Sequence, residues 1–210
     1  MTRPESAPPS DGSRSDISET DQPESDTSGQ DQSARVVMSS GDVSRALRRV
    51  AHEILERNKG SQDLVVLGIP TRGVALARRL VDVMAEVEGS DVPCGALDIT
   101  MHRDDLRRNP IRAIEHTYIP GPGIDDKTVV LVDDVLFSGR TVRAAMDALS
   151  ELGRPRAVRL AVLVDHGHRD LPIRADYVGK NIPTALTESV RVSLTETDGR
   201  DEIKLTGGDE

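Results

Sequence analysis

Thirteen residues, Val129-Val-Leu-Val-Asp-Asp-Val-Leu-Phe-Ser-Gly-Arg-Thr141, constrain the fold of this chain more than any other stretch. A run of apolar, β-favouring residues specifies a strand buried on both faces, as in a parallel sheet. A parallel strand needs a crossover, and residues 140–152 supply one, with Val142, Ala145, Met146 and Leu149 at helical spacing. Asp133 and Asp134 then stand at the carboxyl end of a central strand, where open α/β sheets bind ligands. Ser138, Gly139, Arg140 and Thr141 fall at a helix N-terminus, where unpaired backbone N–H groups and the helix dipole favour a phosphate. Two acids beside a phosphate cradle repel the ligand unless they bind hydroxyls or a cation. A ribose phosphate with Mg2+ meets both demands.

The chain's 210 residues suit one α/β domain plus tails. With one Phe and two Tyr (Phe137, Tyr118, Tyr177), the core must be built from aliphatic side chains. The single cysteine, Cys94, excludes an intramolecular disulfide and suits a reducing compartment. No apolar run is long enough to cross a membrane and no signal peptide opens the chain, so a soluble cytoplasmic protein is expected. Residues 1–33 hold eight acids against two arginines, so they carry −6 of the net charge of −9. That segment buries too little apolar surface to offset its ordering entropy and reads as a disordered acidic tail. The remaining −3 leaves room for a basic face on the folded part.

Residues 42–58 predict a first helix, with Asp42 as N-cap and Val43, Leu47, Val50, Ile54 and Leu55 on one stripe. Its other face carries Arg45, Arg48, Arg49, His52, Arg57 and Lys59, a pattern that alone is more often solvated than bound to nucleic acid. Residues 64–69 form a second buried strand, followed by Pro70-Thr71-Arg72-Gly73 and a helix over 74–87. Gly73 permits close backbone approach and Arg72 suits an anion, although a lone Thr-Arg-Gly also fits an ordinary tight turn. A strand is expected over 93–100. The polar, Pro/Gly-rich connection at about 101–126 reads as a lid or binding loop. Strands at 157–164, 176–179 and 190–194 follow, and 201–210 reads as an acidic C-terminal tail. His102, His166 and His168 lack a completing Cys or acid at zinc spacing, and no Gly-x-Ser-x-Gly elbow supports a serine hydrolase.

The apolar strand, paired acids and Ser-Gly-Arg-Thr turn resemble the phosphoribosyl pyrophosphate signature of type I phosphoribosyltransferases. Further stretches are similar to the PyrR family of pyrimidine-operon regulators with uracil phosphoribosyltransferase activity. These are Arg45-Ala-Leu-Arg-Arg-Val-Ala-His-Glu-Ile-Leu-Glu-Arg-Asn-Lys-Gly60, Thr71-Arg-Gly73, Asp98-Ile-Thr100, Arg103-Asp-Asp-Leu106, Asp165-His-Gly-His168 and Leu171-Pro-Ile-Arg-Ala-Asp-Tyr-Val-Gly-Lys-Asn-Ile-Pro183. The resemblance spans about residues 36–200. It implies an α/β phosphoribosyltransferase domain over 34–200, with a mostly parallel central sheet flanked by helices, a small hood and a flexible lid loop. It implies conversion of uracil and phosphoribosyl pyrophosphate to UMP and pyrophosphate with Mg2+. It also implies binding to a pyr messenger RNA leader promoted by UMP or UTP, in a homo-oligomer (dimer or tetramer).

By the same resemblance, Asp133 and Asp134 bind the ribose hydroxyls, and the turn of Ser138, Gly139, Arg140 and Thr141 cradles the 5′-phosphate. Thr71, Arg72 and Gly73 become the pyrophosphate loop, with Arg72 counted beside the two acids as catalytic. Arg103 and Asp105 reach pyrophosphate from the lid, and Asp105 reaches magnesium indirectly. Phe137, Tyr177 and Val178 face uracil. Purine-specific relatives carry an aspartate where this chain has Phe137, so no carboxylate takes a proton from the base there; the acidity of uracil N1–H can make a strong base dispensable, and a weak enzyme is equally predicted. Arg48, Arg49, His52 and Lys180 are the RNA candidates; no RRM, KH or OB signature is present. The competing reading is a salvage uracil phosphoribosyltransferase without an RNA function.

Overall fold

The run Val129-Val-Leu-Val becomes the middle strand of a five-stranded parallel sheet. The computed structural model describes residues 34–104, 116–121, 123–185 and 187–207. In chain order these hold β1 (Arg35–Met38), α1 (Ser40–Asn58), β2 (Leu64–Gly68), α2 (Arg72–Glu88), β3 (Cys94–Ala96), a 3-10 turn (Thr100–His102), β4 (Thr128–Leu136) and α3 (Arg140–Leu152). There follow β5 (Ala157–Asp165), β6 (Tyr177–Asn181), β7 (Ser189–Ser193), α4 (Thr195–Asp198) and β8 (Glu202–Thr206). The main sheet has the order β3-β2-β4-β5-β6, every pair parallel.

The alternation along β4 sorts the core into two layers. Val130 and Val132 pack with α1 and α2, whereas Val129 and Leu131 pack with α3. The neighbours β2 and β4 therefore lead into helices on opposite faces of the sheet. Their carboxyl ends flank a crevice of the kind in which α/β sheets hold ligands. The type I phosphoribosyltransferase architecture expected from the resemblance is present.

Three local readings change. The N-cap of α1 is Ser39, and Asp42 is instead the third helical residue of a capping box: Ser39 N donates to Asp42 at 2.9 Å and Asp42 N to Ser39 Oγ at 3.4 Å. The strand expected over 93–100 is confined to β3, because Asp98 turns the chain, accepting from Thr100 N at 2.9 Å and Thr100 Oγ1 at 2.6 Å. Residues 202–206, expected in an acidic tail, form β8 in the antiparallel sheet β1-β8-β7. Glu-Ile-Lys-Leu-Thr alternates, and Ile203 and Leu205 point into the core. This smaller sheet and α4 make the hood. The expected acidic tail 1–33 and residues 105–115 of the lid lie outside the described residues. Among the described residues, no helix is long and apolar enough to cross a membrane.

Candidate active site

Asp133 is buried and Asp134 partly exposed at the end of β4. Asp134 N donates to Asp133 Oδ1 at 2.9 Å, and Val135 N donates to Asp134 Oδ1 at 2.9 Å, so both carboxylates are held by the strand itself. Burial, and then the neighbouring Asp134 charge, push the Asp133 carboxyl well above its ordinary value, while the Arg103 guanidinium pulls the other way. The Asp134 charge thus disfavours ionisation of Asp133, a cost that a hydroxyl donor or a cation would relieve.

The turn after β4 ends at Gly139, whose φ of 92° is a left-handed value that suits glycine. Arg140 opens α3 with Gly139 as a cap that has no side chain, and Arg140 N donates to Ser138 Oγ at 3.4 Å. The turn is held from behind: Ser138 O accepts from Asp170 N at 3.0 Å and Leu171 N at 3.1 Å. The Arg140 side chain is committed elsewhere, to Asp104 at 2.7 Å and Asp170 at 3.1 Å. With the Arg140 side chain so engaged, the candidate anion donors of this turn are its backbone and the Ser138 and Thr141 hydroxyls.

The loop after β2 lies directly against β4. A Cβ on Gly73 would stand 2.4 Å from Val132 O, immediately before Asp133, and Ile69 N donates to the same carbonyl at 2.8 Å. The Pro70–Thr71 peptide is cis. Arg72 reaches across to α4 and forks onto Asp198, with Nε at 3.1 Å and a terminal nitrogen at 2.8 Å. Asp198 also accepts from Leu194 N at 2.9 Å and Thr197 Oγ1 at 2.7 Å. These donors hold its carboxyl far below the usual range. The Asp198 fork first, and the field of Asp134 after it, favour the charged form of Arg72.

On the far side, Phe137 is half-exposed and meets the His166 ring edge-on, centroids 4.7 Å apart. His166 is buried, bonds Thr184 Oγ1 through Nδ1 at 3.0 Å, and is held toward its neutral form chiefly by burial. Arg169 braces the turn from below: it pairs with Asp165 at 2.6 Å and donates to Phe137 O at 2.8 Å and Ile173 O at 2.9 Å. Tyr177 does not offer its ring for stacking. It sits at the amino end of β6, packs into the core, and accepts from Arg159 at 3.1 Å. Val178 is better placed, since it pairs with Val162, which in turn pairs with Asp133.

Of the four RNA candidates, three lie on α1 and Lys180 on β6, and Arg49 bridges the two elements. Arg48, 59% exposed, lies 3.5 Å from Glu86, and His52 is exposed. Arg49 donates to Glu53 at 2.6 Å and to the carbonyls of Val178 and Gly179 at 2.9 and 2.7 Å. Lys180 donates to Val37 O at 2.9 Å. Two of the four are therefore engaged by the chain's own backbone. Asp105 lies outside the described residues. Among those described, no cluster of three or more His, Cys, Asp or Glu is placed to hold a metal ion.

Sequence reasoning missed Asp198 and the Asp165–Arg169 brace. The brace had a local signal, an acid and an arginine four apart flanking His-Gly-His. Asp198 had none, because its partner is 126 residues away.

The chain matches the family model described as "Phosphoribosyl transferase domain" over residues 39–197. It is 64% identical over 176 residues to the "Bifunctional protein PyrR" of Streptomyces coelicolor, covering 84% of this chain and 91% of that one. It is 58% identical over 172 residues to the protein of the same name from Deinococcus radiodurans, covering 80% and 92%. The fold is similar to the hypoxanthine phosphoribosyltransferase of Trypanosoma cruzi, with a TM-score of 0.62 and 18% identity over 83% of this chain and 97% of that one.

Proposed function

The chain belongs to the phosphoribosyltransferase domain family and, within it, to the PyrR family, and from that premise we propose that it joins uracil to phosphoribosyl pyrophosphate, giving UMP and pyrophosphate. The observation that carries this reading is the crevice itself: paired acids, a helix-start cradle and a second anion loop converge on the carboxyl ends of adjacent strands. Uracil N1 attacks the anomeric carbon as its bond to the pyrophosphate oxygen breaks, so positive charge gathers on the sugar and negative charge on the leaving group. Asp133 and Asp134 take the ribose hydroxyls and lie close to the cationic sugar. The Ser138–Thr141 turn holds the 5′-phosphate, and the Thr71–Gly73 loop, with Arg103, holds the departing pyrophosphate. Val178 and Phe137 border uracil.

Mg2+ bound with the diphosphate would neutralise leaving-group charge. Asp133 and Asp134 would help to hold such an ion, which would offset the repulsion between them. Phe137 offers no carboxylate to accept the N1 proton, so a slow enzyme is expected.

The second half of the reading is a uridine-nucleotide-dependent regulator that binds a pyr leader RNA in the cytoplasm as a homo-oligomer, with UMP or UTP in the same crevice. Exposed Arg48 and His52 support it. Internal bonding of Arg49 and Lys180 supports the alternative, a salvage enzyme without an RNA role. The reaction is tested by following pyrophosphate release with uracil and with hypoxanthine. Release with uracil is expected; release with hypoxanthine alone would overturn the assignment.

A further inference from the structure

Arg72 stands at the first position of α2, and its side chain is clasped by an acid of the hood rather than directed into the crevice. Asp198 takes one edge of the guanidinium, Nε and one terminal nitrogen, in a fork-to-fork pair that fixes the plane of the arginine as well as its position. The carboxylate is itself immobilised by Leu194 N and Thr197 Oγ1. The loop is thereby tied at two successive residues: Gly73 lies so close to Val132 O that no Cβ would fit, and Arg72 is anchored on α4.

This clasp is not needed to attach the hood. Arg79, two turns further along α2, already pairs with Glu196 at 2.6 Å and Asp201 at 2.8 Å. A second tie to the same short helix, at the residue beside the crevice, is redundant for docking and specific for the loop. We infer that Asp198 is a positioning residue for the transfer reaction: by gripping one edge of Arg72 it fixes the Thr71–Gly73 loop so that the first N–H groups of α2 face the departing pyrophosphate. The inference rests on the phosphoribosyl transfer proposed above. It assigns the hood a part in leaving-group stabilisation, and it makes Arg72 act through the backbone it orients.

The test is a set of steady-state measurements on the full chain, with wild type, Asp198→Asn, Arg72→Lys and the double variant. Arg72→Lys leaves the bonds from Leu194 and Thr197 to Asp198 intact, so it opens the fork without disturbing α4. Each single variant should raise KM for phosphoribosyl pyrophosphate, and the inhibition constant of pyrophosphate, about tenfold, since a small misplacement of a positioned group costs that much or more. KM for uracil should stay within about twofold, and the double variant should be no worse than either single, as for two halves of one interaction. Tighter pyrophosphate binding in Asp198→Asn would show that Asp198 competes with the ligand for Arg72 and would overturn the inference. So would multiplicative effects in the double variant, or unchanged constants in both singles. Wild type that turns over no uracil refutes the underlying reading of the reaction. Active wild type with indifferent variants refutes the clasp alone.

Discussion

The two loops that meet at the crevice are built on opposite principles. The turn after β4 is a local object: a left-handed Gly139 and the first turn of α3 form it, and the backbone N–H groups of Asp170 and Leu171 support it. The loop after β2 is a tertiary object. It takes its shape from a glycine pressed on a neighbouring strand and from an arginine clasped by a residue 126 positions away. Two candidate anion loops can thus differ in how much of their geometry their own sequence encodes.

The largest effect tests what both loops serve. Asp133→Asn should lower kcat/KM on the order of 10³-fold by removing a charge beside the developing cation. The same change should stabilise the protein free of substrate, raising its melting temperature by about 2–4 °C. The sign follows from the raised carboxyl: the folded protein keeps this proton to higher pH than the unfolded chain, so stability falls as pH rises through the folded value. Asp133→Asn should flatten that part of the stability–pH curve.

Gly73→Ala should come next. A Cβ 2.4 Å from a backbone carbonyl forces the loop off β4, and a loss of about 10²-fold in kcat/KM is expected. Gly139→Ala should cost less, because its new Cβ would meet side chains at 3.4 Å, an ordinary contact, and the penalty is mainly the left-handed φ, about 1–2 kcal/mol. KM for phosphoribosyl pyrophosphate reports it. If Gly139→Ala were the more damaging of the two, the contrast between a local and a tertiary loop would fail. The smallest effect belongs to the RNA face: Arg48→Glu should reduce the salt dependence of leader binding by about one counterion.

The same division explains what could be read from the sequence. The β4–α3 stretch was legible because strand, acids, turn and helix follow one another without interruption, and α3 begins and ends at residues 140 and 152 as its pattern implied. The β2–α2 loop was ambiguous because Thr-Arg-Gly has no meaning until Val132 and Asp198 are beside it. The C-terminal strand was misread because its charged residues dominate the composition, while its alternating Ile203 and Leu205 carry the structure. Tyr177 was misassigned for a related reason. A tyrosine in a base-facing segment suggests stacking, yet its place at the amino end of an outer strand turns the ring inward. Arg49 and Lys180 are exposed as expected, and each also donates to a backbone carbonyl that the sequence could not reveal.

The central claim is that occupancy of the ribose-phosphate crevice is read out at the basic face of α1. It is tested most directly by titrating a pyr leader RNA with the full chain, with and without UMP, at several salt concentrations. Arg48→Glu and His52→Ala variants should be used in preference to Arg49, whose loss would also unsatisfy the β6 carbonyls. The account predicts tighter RNA binding with UMP and a steep salt dependence, with the response to UMP lost in the variants and the salt slope lowered by about one counterion in Arg48→Glu. RNA affinity that UMP leaves unchanged across the salt series would contradict it and leave a salvage enzyme.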